Sequence, residues 1–165
     1  MKLSGGVEWA LHCCVVLTAT DRPVPAARLA ELHDVSGSYL AKQMQALSRA
    51  GLVRSSQGQA GGYSLTRAAD TITLLDVVEA VDGPGSTFVC TEIRQRGPLG
   101  TPPQDCTRAC AVARAMIGAD RAWRDALRAV TLADLAADVT ADSGPDAIPR
   151  VGRWLTGGDA RAARP

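Results

Sequence analysis

The 165-residue sequence predicts a mainly α-helical fold with a small β-hairpin wing, in which a winged helix-turn-helix precedes a long C-terminal dimerisation helix. Two features predict this fold. Short helical patterns are followed by a pair of alternating segments that a glycine-rich turn joins. One amphipathic pattern then covers residues 108–130, and its apolar stripe is too long for a small core to bury, which indicates pairing with a second subunit.

The first two helices have clear boundaries. Ser4 is a suitable N-cap for a helix that runs to about Thr20. Pro25 favours a short second helix over Ala26–His33, because proline is tolerated in a first helical turn. The first helix carries an apolar stripe at close to helical spacing: Leu3, Val7, Ala10, Leu11, Cys14 and Leu17.

The third helix is the predicted recognition helix. Ser36 or Ser38 can cap its start, and Gly51 can turn the chain after its end at about Ala50. Its anchoring residues recur at helical spacing: Leu40, Met44 and Leu47. A hairpin with strands at 52–55 and 63–66 follows, and then a fourth helix at 74–81.

Charge near the hairpin points to nucleic acid. The whole chain has a formal net charge of +1, yet residues 36–67 contain four basic side chains and no Asp or Glu. A local positive surface is what contact with phosphates requires. The predicted DNA contacts are Ser36, Ser38, Tyr39, Lys42, Gln43, Arg54, Gln57, Gln59 and Arg67.

Composition narrows the cellular setting. The hydrophobic fraction is 46%, as in globular proteins, and no apolar run reaches the roughly 18–20 residues that span a bilayer. The amino terminus lacks the pattern of a secretory signal. We therefore expect a cytoplasmic protein with no membrane partner and no small-molecule substrate.

The cysteines suggest a metal or redox site. There are five, and structural disulfides are rare in a reducing cytosol. Cys106 and Cys110 are four residues apart, as are Glu8 and His12, and on a helix that step puts two side chains on one face. The four side chains suffice to hold an iron–sulfur cluster or a zinc ion. Cys13 and Cys14 are expected to pack as small apolar residues.

Five runs of the sequence match the pattern of one known family: Met1-Lys2-Leu3-Ser4, Ser38-Tyr39-Leu40, Ala50-Gly51-Leu52-Val53, Gly58-x-x-Gly61-Gly62-Tyr63-x-Leu65-x-Arg67 and Ile72-x-Leu74-x-Asp76-Val77-Val78-x-Ala80-Val81-x-Gly83-Pro84. Through these runs the chain resembles the Rrf-type winged-helix regulators over roughly residues 1–130. That family contains the iron–sulfur cluster regulator and the nitric-oxide-sensitive repressor, and the likeness is closest to its actinobacterial redox-sensing members. The resemblance implies homodimers that bind palindromic, double-stranded promoter DNA under control of a cluster.

The cysteine spacing departs from the family pattern of three closely spaced cysteines, since Cys90 is far from the other two in sequence. In some members an acidic residue of the partner's first helix also binds the cluster. We therefore expect a [2Fe-2S] cluster with Glu8 and His12 from one subunit and Cys106 and Cys110 from the other. Cys90 is an alternative ligand, and [4Fe-4S] or zinc are alternative occupants.

Two further expectations complete the functional hypothesis. Trp9 lies between Glu8 and His12 in sequence and is a candidate redox gate. A repressor switched by zinc, or by a disulfide between Cys106 and Cys110, is the alternative function, and an enzyme is not expected. The predicted parts are a DNA-binding domain at 1–82, a cluster-binding loop at 83–107, dimerisation helices at 108–139 and a flexible tail at 140–165.

Overall fold

The computed structural model describes residues 3–58, 61–86 and 88–157. Within these ranges the protein is mostly helical with one two-stranded antiparallel sheet, as the sequence predicts. The elements are α1 Gly5–Leu17, α2 Ala26–Leu32, α3 Gly37–Arg49, β1 Val53–Ser56, β2 Gly62–Leu65, α4 Leu74–Asp82, α5 Ala111–Arg128, α6 Leu132–Ser143 and α7 Ala147–Leu155, with short 3-10 turns at Ala69–Thr71, Ile93–Gln95 and Pro103–Asp105.

The core lies between α1, α3 and α4, with α2, α6 and α7 packed around it. The three predicted anchors of α3 are each fully buried, and so are Cys13 and Cys14 of α1, as expected of small apolar side chains. Ser36 is the N-cap of α3, and its Oγ accepts a hydrogen bond from the Tyr39 amide. Leu3 is an exception to the predicted stripe, because it is 40% exposed before the start of α1.

The wing is held by close backbone contacts. β1 and β2 pair from Val53 with Leu65 to Ser56 with Gly62, and Val24 bridges to Tyr63 on the other side. A Cβ at Gly62 would lie 2.3 Å from the Val24 carbonyl oxygen, and one at Gly61 would lie 2.4 Å from the Ser56 carbonyl oxygen. Side chains are therefore excluded at both glycines, which explains the Gly-Gly dipeptide of the wing.

The long helix begins later than predicted. α5 starts at Ala111 and not at Arg108, because Cys110 has extended backbone geometry and caps the helix. An ion pair between Arg124 and Glu79 ties α5 to α4. Backbone hydrogen bonds from Leu74 to Val130 and from Leu132 to Ile72 attach the start of α6 to the start of α4.

The C-terminal segment differs from the predicted flexible tail. α6 continues to Ser143, and α7 packs against α1 and α6 with Leu155 only 2% exposed. Gly152 lies directly against the carbonyl oxygen of Ala19, where a Cβ would be 2.4 Å away. Arg28 of α2 stacks over the Trp154 ring at 4.2 Å and donates to the Trp154 carbonyl oxygen. Among the described residues, no helix is long and apolar enough to span a membrane.

Candidate metal centre and nucleic-acid interface

Helix α1 presents the first predicted ligand pair to solvent. Glu8 and His12 are exposed one turn apart, while the opposite face of α1 is buried in the core. The start of α1 is held by α4, because the amide and the hydroxyl of Ser4 both donate to the carboxylate of Asp82, at 2.9 and 2.5 Å. Glu8 and His12 therefore lie on a helix whose inner face packs in the core and whose amino terminus is hydrogen-bonded to α4.

An aromatic group connects this face of α1 to the helix-turn-helix. Trp9 packs edge to face against His33, the C-cap of α2, and against Tyr39 of α3, with ring centroids 5.9 and 6.4 Å apart. His12 also packs edge to face against His33, with ring centroids 5.9 Å apart. Trp9, which follows the predicted ligand Glu8 in sequence, thus contacts the first turn of the recognition helix α3.

The sequence pattern does not identify His33 as part of this aromatic group. Its Nε2 atom is buried without a hydrogen-bond partner in the described residues. Burial lowers the pKa of the imidazole, and the neighbouring His12 lowers it further. A lone histidine at the end of a short helix gives no sequence signal, since its neighbours come from two other helices.

The second predicted pair lies at the start of α5. The Cys110 Sγ accepts a hydrogen bond from the Ala113 amide at 3.3 Å, so that the sulfur caps the helix. This hydrogen bond lowers the pKa of the Cys110 thiol, against a smaller opposing effect of burial, and the nearby Cys90 and Arg94 lower it further. The thiolate, which is the form that binds metal, is therefore more accessible at Cys110 than at an ordinary cysteine.

Arg94 organises the loop that carries the cysteines. Its guanidinium donates to the Glu92 carboxylate at 2.8 Å and to the Arg108 carbonyl oxygen at 2.6 Å. Hydrogen bonding to Glu92 raises the pKa of Arg94, and the charges of Cys106 and Cys110 raise it further. Arg94 therefore provides positive charge beside both predicted sulfur ligands.

The four predicted ligands do not meet within one chain. Across 3–58, 61–86 and 88–157, no three His, Cys, Asp or Glu side chains are close enough to share a metal ion. The thiols of Cys106 and Cys110 are partly exposed, and the Glu8 carboxylate and His12 imidazole face solvent, so all four side chains are accessible from solvent.

The surface next to the cysteines is apolar and uncovered. Val112 is 66% exposed, Met116 42% and Ile117 39%, all on α5. Exposed apolar side chains on successive turns of one helix are typical of a protein interface. This is the helix for which the sequence predicts pairing with a second subunit.

The recognition helix presents most, but not all, of its predicted contacts. Ser36, Ser38, Tyr39 and Lys42 are exposed around the first turns of α3. Gln43 is only 5% exposed, and its Oε1 lies against Gly6 of α1, where a Cβ would be 2.6 Å away. The prediction that Gln43 contacts bases is therefore wrong for this structure, because the side chain fills the contact between α3 and α1.

The predicted wing contacts are distributed along the hairpin. Gln57 is exposed at the turn, and Gln59 lies outside the described residues. Arg54 donates to Ser64 on the paired strand at 3.0 Å and keeps much of its surface exposed. Arg67 forms an ion pair with Asp76 of α4 at 3.0 Å, so the positive charge of Arg67 is partly neutralised in the protein without DNA.

The fold defines the class of a winged-helix protein with a helix-turn-helix. The comparisons give the family. A model of the Rrf2 family, described as an iron-dependent transcriptional regulator, matches residues 3–138, and the chain belongs to this family. The resemblance to this family, inferred from the sequence, is confirmed. The family is one of transcriptional regulators and not of enzymes, as the sequence predicts.

Similar proteins include two bacterial regulators and one solved structure. The chain is 41% identical to the putative regulator YwgB of Bacillus subtilis over 92 residues, which cover 53% of this chain and 58% of that protein. It is 43% identical to IscR of Erwinia tasmaniensis over 84 residues, which cover 50% of this chain and 51% of that protein. The chain thus spans little more than half the length of these curated relatives.

The solved structure is that of CymR, the global cysteine regulator of Bacillus subtilis. It superposes with a TM-score of 0.64 at 27% identity, and the match covers 83% of this chain and 97% of that chain. α7 lies beyond the last residue that the family model matches.

Proposed function

We propose that the protein is a redox-sensing transcriptional regulator that binds palindromic promoter DNA as a homodimer in the cytoplasm. A [2Fe-2S] cluster controls the binding, with Glu8 and His12 from one subunit and Cys106 and Cys110 from the other. The proposal extends the likeness to the actinobacterial redox-sensing members of the family. When bound, such a cluster gains or loses one electron, so that the charge at the site changes by one unit.

One observation carries the proposal. Two incomplete ligand pairs are exposed on one chain, and the cysteine pair adjoins the uncovered apolar surface of α5. A second copy that covered this surface with its α1 would bury apolar area and complete both sites by two-fold symmetry. The membership of a family described as iron-dependent supports an iron occupant over a metal-free site.

Trp9 is the proposed gate between the cluster and DNA. Its indole touches His33 and Tyr39, and it is flanked in sequence by the two ligands of α1. A change in charge at those ligands alters the electrostatic environment of the indole, and any movement of the ring reaches Tyr39 at the DNA-facing end of α3. The spacing of the two recognition helices then changes relative to half-sites about one DNA turn apart.

Anaerobic purification of the full-length protein tests the occupant. Visible absorbance that bleaches on reduction, with equal iron and sulfide contents, is the expected result for the cluster. A colourless protein with stoichiometric zinc would contradict it and support the zinc-switched alternative. Replacement of Cys106 or Cys110 by Ala is expected to abolish the absorbance, whereas Cys90→Ala is expected to retain it.

A further inference from the structure

Cys90 is outside the proposed ligand set, yet it lies beside Cys110, which is one of the proposed ligands. Cys90 and Cys110 line the same cavity of about 660 Å³, together with Arg94 and Arg108. Both thiols are partly exposed to this cavity. We propose that Cys90 and Cys110 form a disulfide when the protein has lost its metal, and that this bond blocks reassembly of the site until it is reduced. The inference rests on the proposed ligand role of Cys110.

Cys110 has the features of the attacking thiol. Its sulfur is fixed by the Ala113 amide at the start of α5, where the helix dipole favours a negative charge. The Cys90 side chain hydrogen-bonds to that sulfur, so the two thiols are adjacent in the cavity. Cys90 in turn contacts the Glu92 carboxylate, with 3.8 Å between sulfur and oxygen.

The backbone around Cys90 allows its sulfur to approach the sulfur of Cys110. Residues 88–92 form neither helix nor strand, so that side-chain rotation and a small backbone shift cost little. Cys106 is the nearer cysteine in sequence, but it ends the short turn at Pro103–Asp105. The structure therefore favours a pairing that the sequence spacing does not suggest.

The chemistry needs a two-electron oxidant, for which a peroxide suffices. The Cys110 thiolate attacks one peroxide oxygen, the O–O bond breaks, and a sulfenic acid and hydroxide result. The Cys90 thiol then attacks the sulfenic sulfur, the S–S bond forms, and water leaves. In total two thiols and one hydrogen peroxide give one disulfide and two water molecules.

The disulfide would protect Cys110 of the cluster-free protein from irreversible oxidation. A disulfide can be reduced again by cellular thiols, whereas further oxidation of a lone sulfenic acid to sulfinic acid is irreversible in most proteins. Because Cys110 is consumed, the bond also prevents cluster insertion while oxidant persists. Cys90 would thus act only on the cluster-free protein.

Peptide mapping tests the pairing. The full-length protein is stripped of metal by a chelator without oxygen, treated with one equivalent of hydrogen peroxide, alkylated and digested with trypsin. Cleavage after Arg94, Arg96 and Arg108 separates the three cysteines into the peptides 68–94, 97–108 and 109–114. The expected product joins 68–94 to 109–114. A link between 97–108 and 109–114, or three unlinked peptides, would overturn the proposal.

A matched pair of variants identifies the role of each thiol. Cys90→Ser is expected to make the peroxide-dependent block of cluster reconstitution irreversible by thiol reductants, because the Cys110 sulfenic acid is then oxidised further, whereas Cys106→Ser still forms the Cys90–Cys110 bond and recovers on reduction. Iron and sulfide measured in reduced, reconstituted wild-type protein report separately on the proposed function. A protein that never takes up a cluster but forms this bond refutes the first proposal and not the pairing. A protein that takes up the cluster without forming the bond refutes the pairing alone.

Discussion

Trp9 of α1 and Tyr39 of α3 meet edge to face, with ring centroids 6.4 Å apart and ring planes at 87°. One residue is next to both proposed ligands of α1, and the other lies in the first turn of the recognition helix. This contact makes the gate hypothesis specific enough to test.

Trp9→Ala is expected to remove the difference in promoter affinity between the oxidised and reduced protein, because the cavity breaks the contact with Tyr39. Trp9→Phe retains a ring in this position and is expected to keep part of the difference. Fluorescence anisotropy with promoter DNA at both oxidation states measures the effect, with iron content checked in each variant. An unchanged difference in Trp9→Ala would remove Trp9 from the account.

Lys42 and Gln43 are adjacent in sequence but face opposite surroundings. Lys42→Ala is expected to weaken promoter binding by about 1–3 kcal/mol, since the exposed ammonium contacts bases or phosphates. Gln43→Ala is expected to lower the free energy of unfolding by about 1 kcal/mol through its contact with α1. Promoter titrations measure the loss of DNA affinity, and urea denaturation measures the loss of stability. If both variants lost the same DNA affinity and Gln43→Ala were as stable as the wild type, the buried placement of Gln43 would be contradicted.

Helix α7 is expected to stabilise the DNA-binding domain. Leu155→Ala should reduce the free energy of unfolding by about 2–5 kcal/mol, because a buried side chain is truncated beside α1. Val139→Ala is the control, since Val139 is 37% exposed and its truncation should change stability by no more than about 0.5 kcal/mol. Chemical denaturation that gives the same midpoint for both variants would show α7 to be dispensable.

The thiols should fall into two classes of reactivity. Burial raises the pKa of Cys13 to about 12, and that of Cys14 is raised as well, so only about one Cys13 thiol in ten thousand is ionised at pH 8. Iodoacetamide is expected to modify the other three cysteines of the native apo-protein and to reach these two only in denaturant. Mass spectrometry at intervals measures the order, and early labelling of Cys13 would contradict the buried placement.

Much of the fold follows from local sequence signals. Ser36 as a cap, the apolar anchors of α3 and the Gly-Gly wing each have a short-range physical cause, and the structure confirms them. α7 escaped prediction because small residues and Pro149 suggested a loose chain, although proline is tolerated in a first helical turn. Its buried or half-buried side chains Ile148, Val151 and Leu155 do follow helical spacing.

The site was less predictable than the fold. Spacing alone placed Glu8 and His12 one turn apart on α1, because an i, i+4 relation is a property of a helix. The same argument does not apply to Cys106 and Cys110, because residues 106–110 precede α5 and are not helical. Spacing cannot show that His33 contacts both Trp9 and His12 edge to face, or that the Gln43 side chain lies against Gly6. These relations depend on how separate helices pack.

The central claim is that each metal site takes ligands from two subunits, and mixed dimers test it directly. One differently tagged chain carries Glu8→Ala and His12→Ala, and the other carries Cys106→Ala and Cys110→Ala; neither homodimer retains a complete site. The mixed dimer keeps one complete site if ligands come from both subunits, and none if each site belongs to one chain. Iron and sulfide at half the wild-type content in the purified mixed dimer is the result that we predict, and a mixed dimer without a cluster, beside wild-type dimers that hold one, would contradict the account.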